Sequence, residues 1–232
     1  AVYAISKNEE QFVHRFCDSA KDADLILIAD TGSTDKTVEI AESFGVKRGY
    51  FEWCDDFASA RNASLELATS DWVFWMDADD TLPSDCGRQL HQAVMTAEQD
   101  TMGLIMQVHI PPAPGDVGFT VVDHVKLFRN RPEFRFVGRI HEQILEPISK
   151  AGGKIERTHL YVVHSGYDYS PEGQQHKRER DLRILEKDIA DRPEHPFVLF
   201  NIGMTAFHLK EFEKAEKALK RCLSLSNPHE PT

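Results

Sequence analysis

Three carboxylates stand close together after a short apolar run. Asp77, Asp79 and Asp80 follow residues 72–76 in the segment DWVFWMDADDTL. Crowded carboxylates repel one another, so we expect a cation beside them, and oxygen ligands favour a hard ion such as Mg²⁺ or Mn²⁺. Such ions take one or two carboxylates and leave their other positions to water and substrate phosphates. The spacing therefore predicts a site for a divalent cation and a phosphorylated ligand.

A plainer alternative is a solvated, Asp-rich turn in which Asp80 caps the next helix. The residues in front of the carboxylates argue against it. A short continuous apolar run, bounded by a charge and a turn signal, is typical of a strand buried on both faces. Carboxylates at the end of such a strand are held in place by the core behind them, which favours a built site.

The first hundred residues alternate between strand-like and helix-like segments. Apolar runs of strand length occur at 2–5, 25–29 and 72–76, and a further strand is expected at 46–51. This order predicts an α/β fold of the Rossmann-like kind, with a mostly parallel sheet and helices on both faces. Ligands of such sheets bind beyond the carboxyl ends of the strands. Polar clusters stand at three of these ends, at 6–9, 30–35 and 77–80, and their convergence would suit a nucleotide.

Arg61 is a cation placed among small residues, in the segment ASARNAS of a predicted helix. A planar guanidinium suits a diphosphate or a buried carboxylate. We favour such a role over a surface ion pair.

After residue 100 the pattern changes. We expect strands at 104–110, 119–129, 134–145 and 154–164. From residue 172 onward helix formers prevail, and part of this segment falls close to the 34-residue tetratricopeptide pattern, at Leu199, Ile202, Gly203, Phe207, Ala215, Leu219 and Pro228. Gly203 and Ala215 would be the small residues where two helices touch; an ordinary helical hairpin is the alternative.

We therefore divide the chain into an α/β domain at 1–170 and a small all-α segment at 171–232. The second part would contain one tetratricopeptide-like repeat at about 196–229. One repeat cannot bury its own faces, so we expect it to dock on the preceding helix or to be followed by further repeats.

The composition of the chain argues against several classes of partner and ligand. The formal net charge of −11 argues against nucleic acid or an anionic membrane as the main partner. No apolar run approaches the roughly 18 residues of a membrane span. We expect no signal peptide, because position 1 enters a predicted strand directly. The cysteines form no CxxC pair and read as reduced thiols, which predicts a cytoplasmic protein without a zinc site; they are Cys17, Cys54, Cys86 and Cys222.

Several of these motifs together resemble a known family. ISKNEE, ADTGSTDKTVEIAESFG and DDFASARNASLELATSDWVFWMDADD resemble the nucleotide-sugar-binding half of family 2 glycosyltransferases of the GT-A fold. The resemblance covers residues 1–170, with each motif at a strand end. The later FRFVGRIHEQI and VVHSGY resemble bacterial members that carry C-terminal tetratricopeptide repeats. The resemblance implies metal-assisted transfer of a sugar from a nucleoside diphosphate, with inversion at the anomeric carbon.

The resemblance also implies roles around the metal. Asp79 is expected to bind the Mg²⁺ or Mn²⁺ directly, and Asp77 to contact the ribose or a metal-bound water. Asp80 would support them from behind. His164, in HSGY, matches a late histidine that completes the metal shell; a satisfied core histidine is the alternative.

The same resemblance places other residues at the nucleotide and the acceptor. Asp30 matches the position that hydrogen-bonds the nucleobase edge and suits uracil, which favours a UDP-sugar donor, and Ser6 and Glu9 lie beside base and ribose. Many relatives take the acceptor proton with an Asp of a Glu-Asp pair, where this chain has His141-Glu142. We therefore expect Glu142 to be the base, with His141 as its neighbour or as the alternative base. The other interpretation is that the two residues are an exposed polar pair without a catalytic role.

Two other functions stay open. An inactive transferase-like domain could act with the repeat as a protein-binding scaffold, although the intact Asp77, Asp79 and Asp80 argue against decay. A nucleotidyltransferase would share the sheet and the metal carboxylates, but ISKNEE lacks the expected Gly-rich, basic loop. For the transferase, the acceptor would be a glycan, a lipid-linked molecule or a protein, and the repeat would bind a protein partner, hold the acceptor or mediate self-association.

Overall fold

The computed structural model describes residues 1–226, which form two compact units. The first unit comprises Ala1–Cys54, Ala58–Val137 and Gln143–Tyr167. The second comprises Asp55–Phe57, Gly138–Glu142 and residues 168–226. Each unit is described here by itself.

An eight-stranded sheet organises the first unit. Its strands are β1 Val2–Ser6, β2 Ile26–Asp30, β3 Lys47–Tyr50, β4 Trp72–Asp77, β5 Asp80–Thr81, β6 Thr101–Ile110, β7 Thr120–Arg129 and β8 Lys154–His164. They lie in the order β3-β2-β1-β4-β7-β6-β8-β5. The first four are parallel neighbours, β7 runs against β4 and β6, and β5 runs against β8. The predicted mostly parallel α/β sheet is confirmed.

Helices cover both faces of this sheet. They are α1 Val13–Ser19, α2 Thr37–Ser43, α3 Phe57–Leu65, α4 Cys86–Thr96 and α5 Leu145–Lys150. Side chains of β4 alternate between two buried clusters, with Phe74 and Met76 packed beside α1, α2 and α4. Val73 and Trp75 pack on the other side, beside α3 and α5. The strand ahead of the carboxylates is thus buried on both faces, as its apolar run predicts.

The predicted strand at 134–145 is wrong. It contains an isolated bridge between Val137 and Gln143, and α5 begins at Leu145. The Asn62 side-chain amide donates to the Phe136 carbonyl at 3.0 Å and accepts the Phe136 N–H at 2.8 Å. These backbone groups would otherwise be free to pair with a neighbouring strand. Gly138 and His141 have φ angles of 93° and 52°, in the left-handed region that strands exclude.

The second unit is built on three helices, α6 Pro171–Asp191, α7 Pro196–His208 and α8 Phe212–Leu225. Gly203 of α7 lies directly against α8, because a Cβ there would stand 2.5 Å from Leu219 Cγ. Ala215 is buried in the same hairpin, so both small residues lie where the sequence pattern places them. Pro228, the last position of that pattern, lies outside the described residues.

Two absences were expected from composition. The four cysteines, all among the described residues, are free thiols. Within residues 1–226, no helix is both long and apolar enough to cross a bilayer.

Candidate active site

A carboxylate cluster stands where β4 ends. Asp77 closes β4, and the two-residue β5 places Asp80 opposite His164 of β8. The Asp79 carbonyl accepts the Ser165 N–H at 3.1 Å, which ties the intervening turn to the end of β8. As a result, ligand atoms of Asp77, Asp79, Asp80 and His164 all lie within 4.8 Å of one another. Backbone pairing therefore assembles the cluster from two distant parts of the chain.

Asp80 supports this cluster from inside. Its side chain is fully buried, and its Oδ2 accepts the Asp77 N–H at 3.0 Å and the Lys126 ammonium at 2.9 Å. Its Oδ1 accepts the His164 Nδ1–H at 3.0 Å. The same Nδ1 lies 3.4 Å from Asp79 Oδ1, so a metal that leaves the hydrogen bond to Asp80 in place would bind His164 through Nε2. Asp77, Asp79 and His164 are therefore the side chains placed to offer ligand atoms outward.

The electrostatics of the cluster fit a cation. Burial, and then the Asp77 carboxylate beside it, raises the pKa of Asp79 to about 6. Burial alone would lower the pKa of His164, but the hydrogen bond to Asp80 and the Asp79 charge raise it to about 9. The charge contributions to both shifts report excess negative potential, and the carboxylate oxygens suit Mn²⁺ or Mg²⁺.

Arg61 is buried, not part of a surface ion pair. Its guanidinium reaches Asp77 Oδ1 at 2.7 Å and stacks on Trp75, 4.2 Å from the ring centroid. Burial would raise the pKa of Asp77, but Arg61 and then Lys126 hold it below its usual range. Arg61 thus keeps the Asp77 side chain ionised. Its partner is a carboxylate, one of the two kinds of group, with a diphosphate, that a guanidinium suits.

Lys126 belongs to the cluster, although the sequence analysis did not single it out. It is 1% exposed, and its ammonium lies 3.7 Å from the Trp75 ring centroid. A lysine within the apolar stretch HVKLF is its only sequence signal, and lysines in strands ordinarily face solvent. The signal was therefore too weak to find it.

The ends of β1 and β2 carry a second group of polar residues. Ser6 is paired in register with Asp30, and the Asp30 carboxylate accepts the N–H groups of Gly32 and Ser33 at 3.2 Å. Gly32 has a φ of 102°, which only glycine adopts readily. No group among the described residues hydrogen-bonds the buried Ser6 hydroxyl, and a buried orphan of this kind favours a polar ligand atom beside it.

Glu9 links the two groups. Its backbone N–H donates to Thr37 Oγ1 at 2.7 Å, which joins the loop after β1 to α2. Burial, and then the charges of Asp79 and Asp77, raises the pKa of its carboxyl to about 7. The Glu9 carboxyl therefore experiences the negative charge of the carboxylate cluster.

His141 and Glu142 lie in the second unit. Their segment is held by Arg139, whose backbone N–H donates to Asp188 Oδ2 at 3.1 Å and whose Nε donates to Asp191 at 2.6 Å. His141 is exposed, has a φ of 52°, and meets Phe197 edge-on at 6.2 Å. Left-handed backbone at a non-glycine residue is strained and is kept where surrounding contacts enforce it.

The first unit therefore brings together the residues predicted for donor and metal. They are Ser6, Glu9, Asp30, Arg61, Asp77, Asp79 and His164. His141 and Glu142 belong to the other unit. The individual roles of all of these residues stay predictions.

Two comparisons of sequence bear on this site. The model of the family described as "Glycosyl transferase family 2" matches residues 2–133. A TPR repeat-containing protein of Synechococcus elongatus is 29% identical over 97% of this chain and 56% of its own length. The glycosyltransferase SunS of the SPbeta prophage of Bacillus subtilis is 27% identical over 94% of this chain and 51% of its own length. The chain spans about half the length of these curated relatives.

Solved structures share the fold. S. aureus TarS 1-349 in complex with UDP-GlcNAc gives a TM-score of 0.62 at 14% identity, covering 97% of this chain and 81% of that one. The mannosyltransferase PcManGT from Pyrobaculum calidifontis, in complex with GDP-Man and Mn²⁺, gives a TM-score of 0.57 at 15% identity, covering 97% of this chain and 75% of that one. At such identities the likeness establishes the GT-A fold alone.

Proposed function

Since the chain belongs to glycosyl transferase family 2, we propose that it transfers a sugar from a nucleoside diphosphate donor to an acceptor hydroxyl. The cluster of Asp77, Asp79 and His164 carries this proposal, because it offers oxygen and nitrogen ligands within 4.8 Å at the carboxyl end of a buried strand. Bound donors in two structures of the same fold, UDP-GlcNAc and GDP-Man, support it.

Metal dependence is the second part of the proposal. Asp79 and the His164 imidazole would hold the cation directly, and Asp77 would contact it, a water on it, or the ribose. A bound Mg²⁺ or Mn²⁺ would stabilise the charge that develops on the leaving diphosphate. Arg61 keeps Asp77 charged and aimed through its 2.7 Å ion pair.

The nucleoside lies at the ends of β1 and β2. Asp30 keeps lone pairs beyond those that the Gly32 and Ser33 N–H groups occupy, so it accepts the imide N–H of uracil, which favours a UDP-sugar. The Ser6 hydroxyl and Glu9 contact base and ribose. The unsatisfied, buried Ser6 hydroxyl supports this assignment.

Transfer follows a single displacement. The acceptor oxygen forms a bond to the anomeric carbon while the bond from that carbon to the diphosphate oxygen breaks, and the electron pair leaves with the diphosphate. Glu142 takes the proton from the acceptor hydroxyl, with His141 as the alternative base. Attack opposite to the leaving group inverts the anomeric carbon.

The helical segment contributes a surface for another molecule. Phe200, Met204 and Phe207 are exposed on α7, and Phe212 is exposed on α8. Exposed apolar side chains at helical spacing favour contact with a protein, whether a partner, a protein acceptor or a second copy. They also favour the second candidate function, an inactive transferase-like domain that acts as a protein-binding scaffold.

Calorimetric titration of UDP and of GDP, each with and without Mn²⁺, tests the proposal. We expect one nucleotide, UDP, to bind with a marked dependence on Mn²⁺. Binding of UDP that ignores Mn²⁺ would contradict the metal site. The absence of binding by either nucleotide would contradict the donor site and favour the scaffold.

A further inference from the structure

An irregularity in β7 delivers Lys126 to the carboxylate cluster. Leu104 of β6 lies opposite Leu127, but the next residue, Ile105, lies opposite Val125. Lys126 is therefore the extra residue of a β-bulge. Bulges redirect a side chain that the regular alternation would send elsewhere. The Trp75 indole donates to the Val125 carbonyl at 2.7 Å, so the bulge is fixed from the site side.

The redirected ammonium is enclosed. Lys126 is 1% exposed and donates to Asp80 Oδ2 at 2.9 Å, while its Nζ lies 3.7 Å from the Trp75 ring centroid. A buried cation is costly unless a carboxylate and further contacts compensate it. An apolar pair in this place would serve stability as well or better, so stability alone does not account for Lys126 and Asp80.

Asp80 connects the ammonium to the outward ligands. One carboxylate oxygen accepts from both Lys126 and the backbone of Asp77, and the other accepts from His164 Nδ1. Any rotation of this carboxylate would break at least one of these bonds. The position of the Lys126 ammonium therefore sets the orientation of the His164 ring.

We propose that Lys126 is a positioning residue of the donor site, which acts through Asp80 to present His164 Nε2 to the cation. This inference rests on the proposed metal-dependent function. Groups that orient a metal-bound histidine typically change metal affinity by about 10- to 100-fold. Lys126 itself touches neither cation nor donor in this scheme.

The first test measures Mn²⁺ affinity by calorimetry for Lys126→Met, with Lys150→Met as the matched control, since Lys150 is an exposed lysine paired with Glu146. We expect Mn²⁺ to bind Lys126→Met about 10- to 100-fold more weakly, and the control to match the wild type. Histidine ¹⁵N spectra, recorded at a pH above the value of about 9 to which the pKa of His164 is raised and assigned with His164→Gln, should show the Nδ1–H tautomer of His164 in the wild type and a mixture in Lys126→Met. A folded Lys126→Met with wild-type affinity and tautomer would overturn the proposal.

A second set of variants decides the question if Lys126→Met does not fold. Lys126→Met alone would leave the buried Asp80 carboxylate without its ammonium partner. Asp80→Asn and the double variant Asp80→Asn/Lys126→Met avoid this, because they replace that carboxylate. Because Lys126 acts through Asp80, both should bind Mn²⁺ equally weakly. A double variant that binds Mn²⁺ more weakly than Asp80→Asn does, or wild-type affinity in either variant, would overturn the proposal.

The same experiments separate this inference from the proposed function. If the wild type bound no Mn²⁺, the metal-dependent donor site would fail. The tautomer of His164 in wild type and variant would still decide whether Lys126 orients the ring.

Discussion

The two units hold their candidate residues by opposite arrangements of charge. In the first, buried cations fix carboxylates, since Arg61 and Lys126 pair with Asp77 and Asp80. In the second, the buried carboxylate of Asp188 fixes arginines. It accepts the Arg139 N–H at 3.1 Å and the Arg192 guanidinium at 2.7 and 2.8 Å.

The two networks differ in the kind of group that they hold in place. In the first unit, ion pairs orient the side chains that would bind a cation, so a change there should alter ligand affinity. In the second unit, Asp188 holds a backbone N–H and so fixes the path of the segment that carries Glu142. A change there should alter turnover and leave nucleotide affinity intact.

Glu142→Gln tests this division with the largest expected effect. It removes the proposed base, so transfer should fall by about 10²- to 10⁴-fold, while Mn²⁺-dependent binding of UDP stays as in the wild type. The rate is measured as UDP release with an acceptor that supports wild-type turnover. Glu172→Gln, an exposed residue of α6, is the control. Unchanged turnover would remove Glu142 as the base.

Asp79→Asn should have the next largest effect. Loss of a direct ligand should weaken Mn²⁺-dependent UDP binding by about 100-fold, with no loss of stability, because the change relieves carboxylate repulsion. Calorimetry and urea unfolding measure the two quantities. Asp116→Asn, in an exposed loop, is the control. Wild-type affinity in Asp79→Asn would show that this carboxylate is no ligand.

Asp188→Asn probes the second unit. We expect a loss of about 1–3 kcal/mol of unfolding free energy, because a buried, charge-assisted network loses its acceptor, and slower turnover with unchanged UDP affinity. Asp191→Asn is the matched control on the same helix, since its pair with Arg139 is more exposed and should contribute less. A change in Mn²⁺-dependent UDP affinity in Asp188→Asn would contradict the division of roles.

A smaller effect concerns acid stability of the first unit. Burial, and then the charge of Lys126, lowers the pKa of His124 to about 4. Because the unfolded value is about 6.5, the unfolded chain binds more protons between these values, and stability falls as pH falls through that window. His124→Gln should reduce this slope by up to about 1.4 kcal/mol per pH unit. Urea unfolding at pH 7 and pH 4.5 measures it, and identical slopes would contradict the assignment.

Much of the first unit could be read from the sequence because its signals are local. The buried strand before Asp77 and the alternation of strands and helices follow from runs of apolar side chains, and the α/β class and the family follow from them. The carboxylates and His164 were found because each stands at a strand end, where pairing brings chain ends together.

The remaining features depend on contacts that no local pattern encodes. The expected strand at 134–145 failed because Asn62, far away in the chain, takes the backbone groups of Phe136. Lys126 was missed because a bulge is a matter of register between two strands, not of composition. The predicted domain boundary near residue 170 stays a prediction; among the compact units, Gly138–Glu142 groups with the helices.

The pairing of β5 with β8 also orders the assembly of the site during synthesis. His164 stands 84 residues after Asp80, so a growing chain carries its three carboxylates without their histidine until β8 emerges and pairs. Closing so long a loop is entropically costly, and such non-local pairings form slowly. A divalent cation that binds only the completed cluster would stabilise the finished sheet by mass action. Bound metal would then hold β8 in the sheet, so we expect the metal supply to influence how much of the newly made protein reaches its native state.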